Sequence, residues 1–79
     1  MDQLLTHSRQ LTQILKARRR ALGMTQTTIA PKLGITQNRL SQLEADPNGF
    51  SLDKLIELLN LLSLDLVIQD RKPRSSSEW

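Results

Sequence analysis

Residues Thr25 to Glu44, TQTTIAPKLGITQNRLSQLE, constrain the chain more than any other stretch. They hold two short helical patterns joined by a turn at Gly34. Ile29 and Leu33 stand four apart, as do Ala30 and Gly34, so the first helix carries one apolar or small face. Leu40 and Leu43 stand three apart on the second helix, and Ile35 in the turn completes a wedge of core. Each pattern opens on a Thr followed by a Gln: Thr25 before Gln26, and Thr36 before Gln37. An N-cap Thr accepts a hydrogen bond from a free backbone N–H of the first turn, so both helix starts are marked. Two capped helices joined by a short turn containing Gly are the physical content of a helix-turn-helix.

Gln37, Asn38, Ser41 and Gln42 lie off the Leu40/Leu43 face and project outward near the start of the second helix. An amide side chain offers a donor and an acceptor together, which is what an adenine edge requires in a DNA major groove. Polar residues on an exposed helix are often merely solvated. Here the capped two-helix frame, with no acidic residue between Asp2 and Glu44, favours recognition.

The net charge of +3 is small until it is divided along the chain. Residues 1–43 hold seven cations and one acid, whereas residues 44–70 hold six acids and one cation. The last nine residues return to a balance of +2. Positive charge is therefore concentrated in the half that carries the two-helix motif. Such a field attracts phosphate backbones, and counterion release adds affinity independent of sequence. The acidic half is expected to turn elsewhere, which argues for a nucleic-acid face and a separate protein face.

Upstream, a helix is expected from about Ser8 to Leu22, stopped at Gly23. Its apolar positions are Leu11, Ile14, Leu15 and Leu22, and Arg19 falls in line with Leu11 and Leu15. An arginine on a buried stripe needs a carboxylate. Glu44, four residues after Leu40 and on the core side of its helix, is the candidate; the alternative for Arg19 is a snorkelling surface cation. Arg18 and Arg20 are expected to face solvent or phosphate. Pro31 falls inside the first motif helix, where its missing N–H removes a bond to Thr27 at a cost of about 3 kcal/mol.

Downstream, Asp46-Pro47-Asn48-Gly49 reads as a turn and Ser51 as the cap of a further helix. That helix has leucines on more than one stripe, and a surplus of leucine on so small a domain implies a partner surface. Leu64-Asp65-Leu66-Val67-Ile68-Gln69 reads as a short strand over about 64–69. One strand cannot stand alone, so it is expected to pair with the same strand of a second copy. The expected dimer interface comprises Leu58, Leu61, Leu62, Leu64, Leu66, Val67 and Ile68.

With 79 residues, one small domain is expected over 1–70 and a flexible tail over 71–79. There are no cysteines for disulfides or thiolate metal sites, and the only histidine, His7, has no nearby carboxylate cluster except Asp2. No Gly-rich phosphate loop, nucleophile arrangement or metal-ligand spacing is present, so neither an enzyme, a metal nor a cofactor is expected. No long apolar run or signal pattern suggests a membrane, and a cytoplasmic protein is expected. The chain ends on Glu78-Trp79. A terminal Trp is either an anchor for another protein or incidental.

Through TQTTIA, KLGITQ and RLSQLE, residues 8–62 resemble the phage-repressor-like (Cro/cI, XRE) helix-turn-helix family. With LSLDLVIQD after the last helix and a short tail ending in Glu-Trp, the wider layout is similar to the HipB antitoxins. The resemblance implies a mostly α fold of four to five helices, with one short C-terminal β-strand paired across a homodimer. It implies a repressor that binds operator DNA, autoregulates its promoter and binds a HipA-type toxin kinase, which Glu78 and Trp79 can reach. By position it implies base contacts from Gln37, Asn38 and Ser41, and phosphate contacts near Gln26, Thr27 and Arg39; the outward face of the second helix adds Gln42 to the expected base contacts, and the start of the first adds Thr25 to the expected phosphate contacts. It also implies a buried pair of Arg19 with Glu44, as the stripe argument does. A phage-type regulator without a toxin, or a protein-binding module on the same scaffold, are the other readings.

Overall fold

Every helix opens on a side chain that takes up a first-turn N–H. The computed structural model describes residues 3–71, with helices α1 (Ser8–Ala21), α2 (Gln26–Lys32), α3 (Gln37–Ala45) and α4 (Leu52–Leu61). A 3-10 turn, Pro47–Gly49, joins α3 to α4. Thr25, Thr36 and Ser51 accept from the backbone N–H of Thr28, Arg39 and Lys54 at 3.1–3.2 Å. At α1 the cap is His7, whose Nδ1 accepts from Arg9 at 3.3 Å. The Gln10 side chain returns the favour by accepting from the His7 backbone N–H at 3.2 Å, a reciprocal capping box.

The exits share one geometry. After α1, Gly23 (φ +69°) donates to the Arg20 carbonyl and Met24 to that of Arg19. After α2, Gly34 (φ +71°) donates to Pro31 and Ile35 to Ala30. After α4, Ser63 (φ 56°) donates to Asn60 and Leu64 to Leu59. These are Schellman stops, and the residue after each left-handed position is apolar. Met24, Ile35 and Leu64 all pack against the core, so each stop turns the chain inward rather than merely ending a helix.

Leu15 of α1, Ile29 and Ala30 of α2, Leu33 at its end, Leu40 of α3, Leu58 and Leu59 of α4, and Leu62 at its end form one buried cluster. Each leucine withdrawn from water stabilises the fold by about 1.5–3 kcal/mol. Helix α2 lies against α3, while α1 packs on α3 and the 3-10 turn. Pro31 is accommodated because α2 ends one residue later, and its carbonyl takes the Gly34 N–H. Thr27 and Pro31 are both exposed, so water can replace the lost bond.

One expectation changes. Leu58 and Leu62 are fully buried in the protomer's own core, so they do not present a dimer surface. The i, i+4 stripe they share is the one α4 turns towards Leu15, Ile29 and Leu40. From Leu64 to Ile68 no strand forms within the single chain. A ladder needs a second strand, and the described residues supply none.

Ser63 carries a side chain where the other two exits have glycine, and a left-handed non-glycine residue costs about 1–2 kcal/mol. In urea unfolding followed by circular dichroism, Gly34→Ala is expected to lose about 1–2 kcal/mol. Ser63→Gly is expected to gain about 0.5–1 kcal/mol, the relief exceeding the added chain entropy.

Candidate nucleic-acid interface

Helix α3 divides cleanly into two faces. Leu40, Leu43 and Glu44 are buried, and Gln37, Asn38, Ser41 and Gln42 are exposed. The exposed four begin at the first residue of the helix, where backbone N–H groups are still free and the dipole is positive. Beside them, Thr25 opens α2 with its hydroxyl 2.9 Å from both the Thr27 and Thr28 hydroxyls. Thr25 and Thr27 are exposed and Gln26 is half-buried.

A buried ion pair holds α3 in place. Arg19 Nε donates to Glu44 Oε2 at 2.8 Å, and its Nη2 to Oε1 at 3.0 Å. Arg19 is 9% exposed and Glu44 1%. The third nitrogen, Nη1, donates to the Met24 carbonyl at 3.0 Å, tying the pair to the turn between α1 and α2. Gln26 Nε2 donates to Glu44 Oε1 at 2.9 Å, which brings the start of α2 into the same network. A bidentate arginine whose third nitrogen is also engaged is the geometry that repays desolvation of both charges. Gln26, expected at phosphate, thus spends one amide hydrogen on Glu44 and keeps the other.

Three further cations are engaged in ways that spacing does not reveal. Lys54 of α4 donates to the Leu33 carbonyl at 2.6 Å, at the negative end of α2, and also pairs with Glu57 at 3.1 Å. Arg18, expected to face solvent or phosphate, instead donates from Nε to the Leu62 carbonyl at 2.8 Å, at the end of α4. Arg39 is exposed, but its guanidinium is turned to the Gly49 carbonyl at 3.2 Å and to Gln42 Oε1 at 3.4 Å. Of the expected interface residues, Leu61 and Leu64 are half-buried, whereas Leu66, Val67 and Ile68 are 49%, 70% and 94% exposed. Glu78 and Trp79 lie outside the described residues. Among the described residues no cluster of His, Cys, Asp and Glu is placed to hold a metal ion, and no helix is long and apolar enough to cross a membrane.

This arrangement defines a helix-turn-helix protein, and residues 15–68 match the family described as Helix-turn-helix. The chain is 35% identical over 66 residues to Antitoxin HipB of Escherichia coli O6:H1 (strain CFT073), a match covering 84% of this chain and 70% of that protein. It superposes on a solved HipA–HipB–O2–O3 complex with a TM-score of 0.79 and 31% identity, over 90% of this chain and 100% of that one. A HipB–O1–O2 complex gives a TM-score of 0.77 at 30% identity, over 87% of this chain and 100% of that one. The chain belongs to the helix-turn-helix family, among the HipB antitoxins.

Burial alone would raise the Glu44 carboxyl, but the Arg19 and Gln26 hydrogen bonds and the charges of Arg19 and Lys16 outweigh it and hold the group below its ordinary value. A carboxyl depressed in the folded state adds stability above its unfolded value and loses it as pH falls through the folded one. Wild-type urea midpoints are therefore expected to fall as the pH drops below about 4.3. Glu44→Gln, which has no such proton to bind, should lose less over the same descent; equal losses would clear Glu44 of any part in acid sensitivity.

Proposed function

We propose that the chain is the antitoxin of a HipA-type toxin–antitoxin operon, a binding protein rather than an enzyme. It acts as a homodimer on operator DNA in the cytoplasm and represses its own promoter. The observation that carries this reading is the exposed face of Gln37, Asn38, Ser41 and Gln42, held at a helix start by the Arg19–Glu44–Gln26 network. Its likeness to a HipB chain solved in complex with HipA supports the toxin partner.

In this reading Gln37, Asn38, Ser41 and Gln42 meet base edges, while Thr25, Gln26 and Thr27 meet phosphates through hydroxyl, amide and backbone N–H groups. Arg39 lies at the same edge. Dimerisation is supported by a cleft of about 420 Å³ lined by Leu52, Ile56, Leu59, Leu64, Leu66 and Ile68. Pairing of residues 64–69 with those of a second copy covers that cleft, with Leu61 and Val67 completing the interface. Two recognition helices are then set about 34 Å apart, one duplex turn. Residues 71–79 form the tail, in which Glu78 and Trp79 contact the toxin.

The test combines two partners. On a duplex from the chain's own promoter, log affinity should fall linearly with log salt, and Gln37→Ala should cost about 1–3 kcal/mol. Deleting Glu78 and Trp79 should leave that binding unchanged and weaken capture of the co-encoded HipA-type kinase. Loss of operator binding on deletion would contradict the division into two faces.

A further inference from the structure

The expected role of Gln42 is that of an amide reading adenine, which needs its oxygen and its nitrogen together. The structure changes what that amide can offer. Arg39 stands three residues earlier on the same helix, and its Nη1 donates to Gln42 Oε1 at 3.4 Å. The other end of the guanidinium, Nη2, is anchored on the Gly49 carbonyl at 3.2 Å. Gly49 admits this seat for a steric reason. A Cβ there would lie 2.9 Å from Leu43 Cδ2 and 3.4 Å from Arg39 Nη2. Arg39 is therefore spread between the 3-10 turn and the recognition helix, in a planar fork that a flexible ammonium does not reproduce.

A guanidinium has only donors, so the Gln42 atom facing it must be the oxygen. That leaves the two Nε2 hydrogens and one lone pair of Oε1 to meet a base, beside a cation whose field favours acceptors on the base over donors. Adenine presents N7 as an acceptor but N6 as a donor, and the N6 hydrogens would approach an oxygen already engaged by a cation. Guanine presents N7 and O6, both acceptors, and its edge is favoured by a neighbouring positive charge. We propose that Arg39 is a positioning residue that fixes the Gln42 amide as a donor and so sets the base read there to guanine. This rests on the operator-binding reading above.

The test is selection of binding sites from a randomised duplex library by the full-length wild type, Gln42→Ala and Arg39→Met. The wild type is expected to enrich guanine at one base pair per half-site by about tenfold or more over adenine. Gln42→Ala should lose preference at that pair alone. Arg39→Met should shift it from guanine towards adenine while the other positions keep theirs, which also shows that the variant is folded. If Arg39→Met binds nothing, the comparison is made with Arg39→Lys, whose ammonium lacks the fork. A guanine preference unchanged in the Arg39 variants, or adenine at the Gln42-dependent pair in the wild type, overturns the assignment. A wild type that enriches no duplex overturns the operator reading itself, and this assignment with it.

Discussion

The structure depends on one buried ion pair. Arg19 of α1 and Glu44 of α3 stand 25 residues apart in sequence, and they are the only charged residues buried among those described. An unpaired charge in that position is expensive, so the two residues hold α1 and α3 in one relative placement. The Met24 carbonyl takes the third guanidinium nitrogen and Gln26 adds a donor to Glu44, and no buried side-chain polar atom among the described residues lacks a partner. The apolar cluster could tolerate small slides of helix on helix. A bidentate arginine with fixed distances tolerates far less. The recognition face is thus positioned by a polar network and stabilised by an apolar one.

Helix ends make the second set of constraints. Three Schellman stops each deliver an apolar residue to the core, and two cations from distant positions cover the carbonyls at the ends of α2 and α4. In a chain with helices as short as seven residues, a large share of the backbone polar groups are terminal. Satisfying them is a condition for such helices to persist, because helices of this length are marginal on their own.

Much of this was legible in the sequence, and for local reasons. Thr25, Thr36 and Ser51 announce helix starts, and Gly23 and Gly34 the exits, because capping is decided by near neighbours. Arg19 was legible from its place in line with Leu11 and Leu15. What spacing could not give depends on how helices dock. Lys54 meets the Leu33 carbonyl across 21 residues and Arg18 that of Leu62 across 44, and neither pairing leaves a local trace. The leucine run of α4 has several apolar stripes, so which one faces inward is fixed only by packing, and Leu58 and Leu62 went to the core. At the recognition helix, spacing gave the exposed residues but not the contact of Arg39 with the Gln42 oxygen, because the guanidinium is also seated on the Gly49 carbonyl of the 3-10 turn.

The most direct measurement is a double-mutant cycle on the pair, Arg19→Met and Glu44→Leu, read as urea unfolding free energies. The account predicts that each single change costs about 3–5 kcal/mol, because it strands the other charge, and that the double variant costs less than either single one. Single costs that simply add in the double variant would contradict it, and the buried pair would no longer be the interaction that places α3.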